Sequence, residues 1–177
     1  MVYLFLADGF EDIEATVPFD FLQRAGIPVR TVGVGHKTVK SAHGLAVTAD
    51  IEETEWKPDE VEAVIFPGGM PGAANLKKSM VVSDAIQFAV REKKVLAAIC
   101  AAPGVVLSKT GVLEGKKYTC FPGFEVKEGI YTGKRTEKDG LLITANGPGA
   151  AMEFAYAIIE TLRGKDRASD LQKQMIQ

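Results

Sequence analysis

The pattern of apolar runs along these 177 residues predicts an α/β fold: a doubly wound, mostly parallel sheet with helices on both faces. Three observations carry that expectation. Residues 2–6, 61–66 and 95–99 are short, largely apolar runs ending in small-residue turns, as strands buried on both faces do. The segments between them place apolar residues four apart, the helical period. The second and third runs are also about thirty residues apart, the length of a strand-helix-strand crossover.

Val2-Tyr3-Leu4-Phe5-Leu6 stops at Ala7-Asp8-Gly9 and reads as the first strand. Residues 11–25 follow as an amphipathic helix, with Ile13, Val17 and Phe21 at spacing four, Leu22 beside them, and Gly26 and Pro28 as the stop. Pro18 inside it removes a backbone donor and predicts a kink. Residues 29–34 make a second strand. Residues 38–41 and 45–49 read as an antiparallel pair around His43-Gly44, and 52–62 as a solvated acidic connection anchored by Trp56. The strand at 61–66 ends at Pro67-Gly68-Gly69. A helix is expected over 83–93, with Ile86 and Val90 at spacing four, then a strand over 95–99 and a helix over 101–107 that Gly111 can end. Beyond Tyr118 the pattern changes to short strands, at Tyr118-Thr119, 135–138 and 141–145. Two helices, 150–162 and 167–176, close the chain around Gly164.

Composition bounds the function. Hydrophobic residues are 46% and charged residues 25%, values of an ordinary globular chain, and no repeat or linker divides residues 1–177, so one domain is expected. The 21 Lys and Arg against 23 Asp and Glu leave a net charge of -2, without the basic excess of a nucleic-acid binder. No apolar run is long enough to span a membrane, and the start lacks the basic flank of a signal peptide. Two cysteines, Cys100 and Cys120, are too few for a disulfide scaffold, so a cytoplasmic setting is expected.

Several cofactor motifs fail. Gly33-Val34-Gly35 lacks the third glycine of a dinucleotide fingerprint, and Gly115-Lys116-Lys117 lacks the hydroxyl residue and glycine spacing of a phosphate loop. His36 and His43 form no metal set with the cysteines. Neither a cofactor nor a metal is expected.

What remains is Cys100, at the junction between the strand at 95–99 and the helix begun by Ala101-Ala102-Pro103. A side chain there projects at the carboxyl edge of the sheet, as the nucleophile of a hydrolase elbow does. A cysteine in an apolar strand is often an inert core residue; the elbow setting favours the nucleophile. The following helix start is expected to lower the thiol pKa below about 8.5. Pro67-Gly68-Gly69 ends at the same edge, either as a plain turn or as a backbone cradle for an anion. Asp8, Glu11 and Asp12 suit a helix start by dipole alone, while Glu14 is placed to turn toward the sheet edge.

Together, Asp8-Gly9-Phe10-Glu11-Asp12-Ile13-Glu14, Phe66-Pro67-Gly68-Gly69, Ala97-Ala98-Ile99-Cys100-Ala101-Ala102-Pro103 and Asn146-Gly147-Pro148-Gly149 resemble the ThiJ/PfpI superfamily, which is class I glutamine amidotransferase-like. Within it they are most similar to the branch of the parkinsonism-associated deglycases. The resemblance implies a flavodoxin-like homodimer, a reactive Cys100 with Glu14 as acidic partner, and an oxyanion pocket from Gly68, Gly69 and Ala101. A raised Glu14 pKa follows if its protonated carboxyl donates to the thiolate. The resemblance also implies family positions at Arg24 and His43 near a dimer-side pocket. Two departures matter. Ala101 stands where protease-type members carry histidine, which removes a Cys-His peptidase. Phe121 stands where the deglycase branch has a histidine before the proline, here Pro122.

Three functions are compatible with these residues. One is a glyoxalase- or deglycase-like enzyme in which Cys100 attacks a small carbonyl. The second is a redox-responsive stress protein or chaperone whose Cys100 is oxidised to sulfinic acid by a small oxidant. The third is a binding module with an inert thiol.

Overall fold

The computed structural model describes residues 1–176. In chain order its elements are β1 (Val2–Leu6), α1 (Asp12–Arg24), β2 (Val29–Gly33), β3 (Thr38–Lys40), β4 (Ala46–Thr48), β5 (Ile51–Glu52), β6 (Ala63–Phe66), α2 (Gly72–Lys78), α3 (Met80–Arg91), β7 (Val95–Ile99), α4 (Ala102–Val105), β8 (Lys117–Tyr118), β9 (Ile130–Tyr131), β10 (Thr136–Asp139), β11 (Leu142–Ala145), α5 (Ala151–Arg163) and α6 (Lys165–Gln174). The central sheet runs β10-β11-β7-β6-β1-β2-β5. Its inner order, β2-β1-β6-β7-β11, is all parallel and is the flavodoxin-like arrangement; only β10 is antiparallel.

Alternate residues of each buried strand serve opposite faces. Val2, Leu4 and Leu6 of β1, with Ala63, Ile65, Ala97 and Ile99, pack under α1, α5 and α6 through Leu22, Phe154, Ile158 and Leu171. Tyr3 and Phe5, with Val64, Phe66, Leu96 and Ala98, pack against Leu76 of α2 and Ile86 of α3. Trp56 closes that second face edge-on to Tyr3 and Phe88, the anchoring expected of it. The β3–β4 hairpin pairs antiparallel as expected.

The point at which the strand order reverses falls between β1 and β6, which are themselves parallel. Their carboxyl ends, Asp8-Gly9 and Pro67-Gly68-Gly69, open the crevice in which folds of this class bind ligands, and β7 delivers Cys100 beside it.

Several expectations need correction. The buried face of α1 is Glu14, Ala15, Pro18, Phe21 and Leu22, whereas Ile13 is 47% exposed, so the stripe begins one residue later than the apolar spacing suggests. On α3, Val90 is half exposed while Ala85, Ile86 and Ala89 are buried. The helix expected over 101–107 is only Ala102–Val105. The strands β5 and β9 and the helix α2 carry no strong periodicity and escape a sequence reading.

Candidate active site

Cys100 has φ +64, a left-handed conformation that costs a non-glycine residue energy and persists only where the surroundings hold it. Two hydrogen bonds do so. Its N–H donates to the Ala145 carbonyl (2.8 Å), and its own carbonyl accepts from Phe121 N–H (2.8 Å). The first extends the β7–β11 ladder by one residue, and the second ties the loop after β8 to the same point. Cys100 is half-buried, whereas the other cysteine, Cys120, is fully buried.

Glu14 reaches the site from α1. Glu11 caps the helix by accepting Glu14 N–H on its own Oε2 (2.8 Å), which fixes the helical phase. Glu14 then falls on the inward face and is completely buried. Its Oε2 accepts Gly68 N–H at 2.8 Å. Its Oε1 makes no regular hydrogen bond to nitrogen or oxygen among the described residues, and the Cys100 thiol is the group facing the carboxyl.

Glycine is required beside them. A Cβ on Gly68 would lie 2.7 Å from Cys100 Cβ, 2.8 Å from Glu14 Oε2 and 2.9 Å from Ala101 N. Gly69 has φ +83, and a Cβ there would meet Glu11 N and the Gly9 carbonyl at 2.5 Å. The Gly69 and Ala101 amides point at the Cys100 sulfur, where both favour the thiolate. Of the Pro67-Gly68-Gly69 amides, that of Gly68 is taken by Glu14 and that of Gly69 serves Cys100.

Burial raises the Glu14 carboxyl to about 7. Hydrogen bonds with Cys100 and the Gly68 amide oppose that rise, and the charge of Glu11 adds to it. Burial first, and then the charge and hydrogen bond of Glu14, push the Cys100 thiol up to about 12 against the two amides. The expected low thiol pKa is thus reversed while Glu14 is ionised. Desolvation outweighs the contribution of α4, which at four residues has little dipole to offer. The two groups behave as one titrating pair, with Glu14 losing its proton first.

The remaining candidates separate. Arg24 ends α1, ten residues and about 15 Å beyond Glu14, and pairs with Asp20 at 2.7 Å. His43 lies at the opposite end of that helix, its Nδ1 2.7 Å from Asp12 Oδ2. A single chain therefore does not bring Arg24 and His43 into one pocket. Glu11, Asp12 and His43 hold their ligand-type atoms within 4.8 Å of one another. Those atoms are engaged within the chain: Asp12 accepts from Ser41 Oγ and pairs with His43, and Glu11 caps α1. The cluster pins the hairpin to the helix start. Cys120 is a buried thiol whose pKa burial lifts to about 12. Phe121 stands 43% exposed beside Cys100, a feature that only the tertiary contact of their backbones shows.

The DJ-1/PfpI family pattern matches residues 1–161. Protein dj-1beta of Drosophila melanogaster is 36% identical over 176 residues, covering 97% of this chain and 94% of that protein. Its crystal structure superposes with a TM-score of 0.94 over 99% of this chain and 96% of that one, at 35% identity. The Caenorhabditis elegans glutathione-independent glyoxalase DJR-1.2 is 33% identical over 171 residues, 93% of this chain and 89% of the relative. The structure of Toxoplasma gondii DJ-1 in an oxidized form has a TM-score of 0.93 at 30% identity, covering 99% and 97% of the two chains. With its fold, its four motifs and these relatives in agreement, the chain belongs to the DJ-1/PfpI family.

Proposed function

We propose that the protein is a cysteine-dependent enzyme acting on small reactive carbonyls, 2-oxoaldehydes such as methylglyoxal or their early adducts, in the manner of a glyoxalase or deglycase. The observation that carries this reading is the buried Glu14 carboxyl facing Cys100, with the Gly69 and Ala101 amides aimed at the sulfur. The similarity to a relative named as a glutathione-independent glyoxalase supports it.

The chemistry follows from the proton inventory. Between the loss of the first and second protons, the pair holds one proton between Sγ and the carboxyl. Its transfer to Glu14 makes a thiolate facing a carboxylic acid. The thiolate adds to the aldehyde carbon, the carbonyl electrons move to oxygen, and that oxygen takes the Glu14 proton to give a hemithioacetal. The Glu14 carboxylate then removes the proton on the former aldehyde carbon and returns it to the neighbouring carbonyl carbon, while the hydroxyl proton passes from the first oxygen to the second. The product is a thioester of a 2-hydroxy acid, and water releases the acid and restores the thiol. The aldehyde carbon is oxidised as its neighbour is reduced, so no outside oxidant enters. The two amides hold the developing oxyanion.

The test is multiple turnover. Methylglyoxal should be consumed with formation of lactate by the wild type and not by Cys100→Ala. Absence of turnover, with Cys100 taken stoichiometrically to sulfinic acid by hydrogen peroxide, would instead favour the redox reading, to which the oxidized Toxoplasma gondii structure lends its support.

The functional unit in this reading is a homodimer in the cytoplasm, where thiols stay reduced. Half-exposed Ile13, one residue before Glu14, borders a groove of about 510 Å³ with Val17 and Tyr156, a surface suited to a second copy. No described helix is long and apolar enough to cross a membrane.

A further inference from the structure

From the end of β8 the chain runs through three fully buried residues, Tyr118, Thr119 and Cys120, and then turns one aromatic ring outward. Phe121 is 43% exposed, and its neighbours Pro122 and Gly123 are exposed as well. Its position is nonetheless defined. Its N–H donates to the Cys100 carbonyl at 2.8 Å, while Cys100 N–H donates to Ala145. Two residues after Ala145, Gly147 leaves room for the ring: a Cβ there would lie 3.2 Å from Phe121 Cδ2 and 3.7 Å from Cε2. Phe124 also packs edge-on to the ring, with centroids 6.5 Å apart and planes at 65°. The Phe124 carbonyl in turn rests against Gly104 of α4, the helix that starts just after Cys100. Backbone, glycine and aromatic neighbour thus hold an exposed phenyl ring at the carboxyl edge of β7 and β11, one hydrogen bond removed from Cys100.

An exposed ring held this way is a ready-made apolar wall. It has no titratable group, so it contributes contact and not proton transfer. We propose that Phe121 is a specificity-determining residue that makes the Cys100 site select 2-oxoaldehydes bearing an aryl group over those bearing a methyl group. This rests on the carbonyl-enzyme reading above and names its substrate class. An aryl glyoxal attached through its aldehyde carbon would lay its ring against Phe121, removing two apolar faces from water and adding an aromatic pair. Typical contributions of such pairs correspond to about a tenfold preference. The balance is that of the methyl substrate: phenylglyoxal plus water gives mandelate.

The test separates the subsite from the turnover. Phenacyl chloride and chloroacetone alkylate a thiolate by the same displacement of chloride and differ only in phenyl against methyl. Their rate constants at Cys100, read by peptide mass, give a phenyl-to-methyl ratio that is divided by the ratio for free cysteine. The expected result is a normalised ratio of about ten in the wild type. It should be kept in Phe121→Tyr, which preserves the ring and controls for folding, and fall to within about twofold of free cysteine in Phe121→Ala. A wild-type ratio equal to that of free cysteine, or one that survives in Phe121→Ala, overturns the proposal. In parallel, kcat/KM for phenylglyoxal over methylglyoxal should fall in the same order of variants. If neither aldehyde is turned over by the wild type, the carbonyl-enzyme reading fails on its own, and the alkylation ratio still decides whether Phe121 forms an aryl subsite.

Discussion

The amide of Gly68 donates to Glu14 Oε2 across 2.8 Å, joining two residues 54 positions apart. This contact holds a carboxyl that is completely buried. Residue 68 must supply a donor while carrying no side chain, because the space where a Cβ would stand already belongs to Cys100 and Glu14.

Gly68→Ala should therefore damage the site out of proportion to its size. All three of its nearest contacts fall below 3.0 Å, and one is the Ala101 amide nitrogen, which cannot rotate away. The expected outcome is at least a tenfold loss of Cys100 alkylation rate and a stability loss of about 1–3 kcal/mol, typical of overpacking. Denaturant unfolding together with the alkylation rate reads both.

The pH profile of Cys100 alkylation should show the pair and not an isolated thiol. Reactivity should rise with a first midpoint near 7, where the pair gives up its first proton and the thiolate form becomes available by transfer to Glu14. Glu14→Gln should abolish that midpoint and leave a single thiol titration below about 12, since the charge opposing ionisation is gone. Buried Cys120 supplies the internal comparison by peptide mass. A Glu14→Gln profile identical to the wild type would show that the two groups are not coupled.

Stability should fall as pH rises from 4.5 to about 7. The folded chain keeps a proton on Glu14 that the unfolded chain has already released, so the folded state binds more protons throughout this window. The contribution, on the order of 3 kcal/mol, is present below pH 4.5 and lost by pH 7. Urea midpoints at several pH values, compared with Glu14→Gln, isolate it; the variant should lack this slope.

Glu62 should act in the opposite direction and more weakly. Arg163 at 2.6 Å and the chain's amino terminus at 2.7 Å hold its carboxyl down at about 2. Its contribution is present above pH 4.5 and lost as pH falls toward 2. Glu62 is 34% exposed, and solvent screening keeps the effect to about 1 kcal/mol. Acid titration of Glu62→Gln against the wild type measures it.

Much of the fold was legible because its signals are local. A buried parallel strand such as β1 or β7 is an apolar run ended by small residues, and α5 carries a helical period over thirteen residues. The elements that escaped are short or weakly patterned. β5 exists because it pairs with β2, and β9 because it pairs with β8. The start of the buried stripe on α1 escaped for a related reason. Ile13 is apolar and Glu14 charged, so hydropathy points the wrong residue inward; the Glu11 cap and the place where the helix meets the sheet decide the phase.

The sequence by itself determined the fold class, the position of Cys100 at a strand-to-helix turn, the glycine pair at the neighbouring strand end and the four motifs of the family. Each depends on residue types a few positions apart. Only the tertiary structure decided that Glu14 is fully buried, that the thiol is pushed up and not down, that Arg24 stands apart from His43 within the chain, and that the Phe121 amide bonds to the Cys100 carbonyl. The physical reason is that desolvation, charge coupling and contact depend on which distant segments exclude water from a group, and no spacing along the chain encodes that.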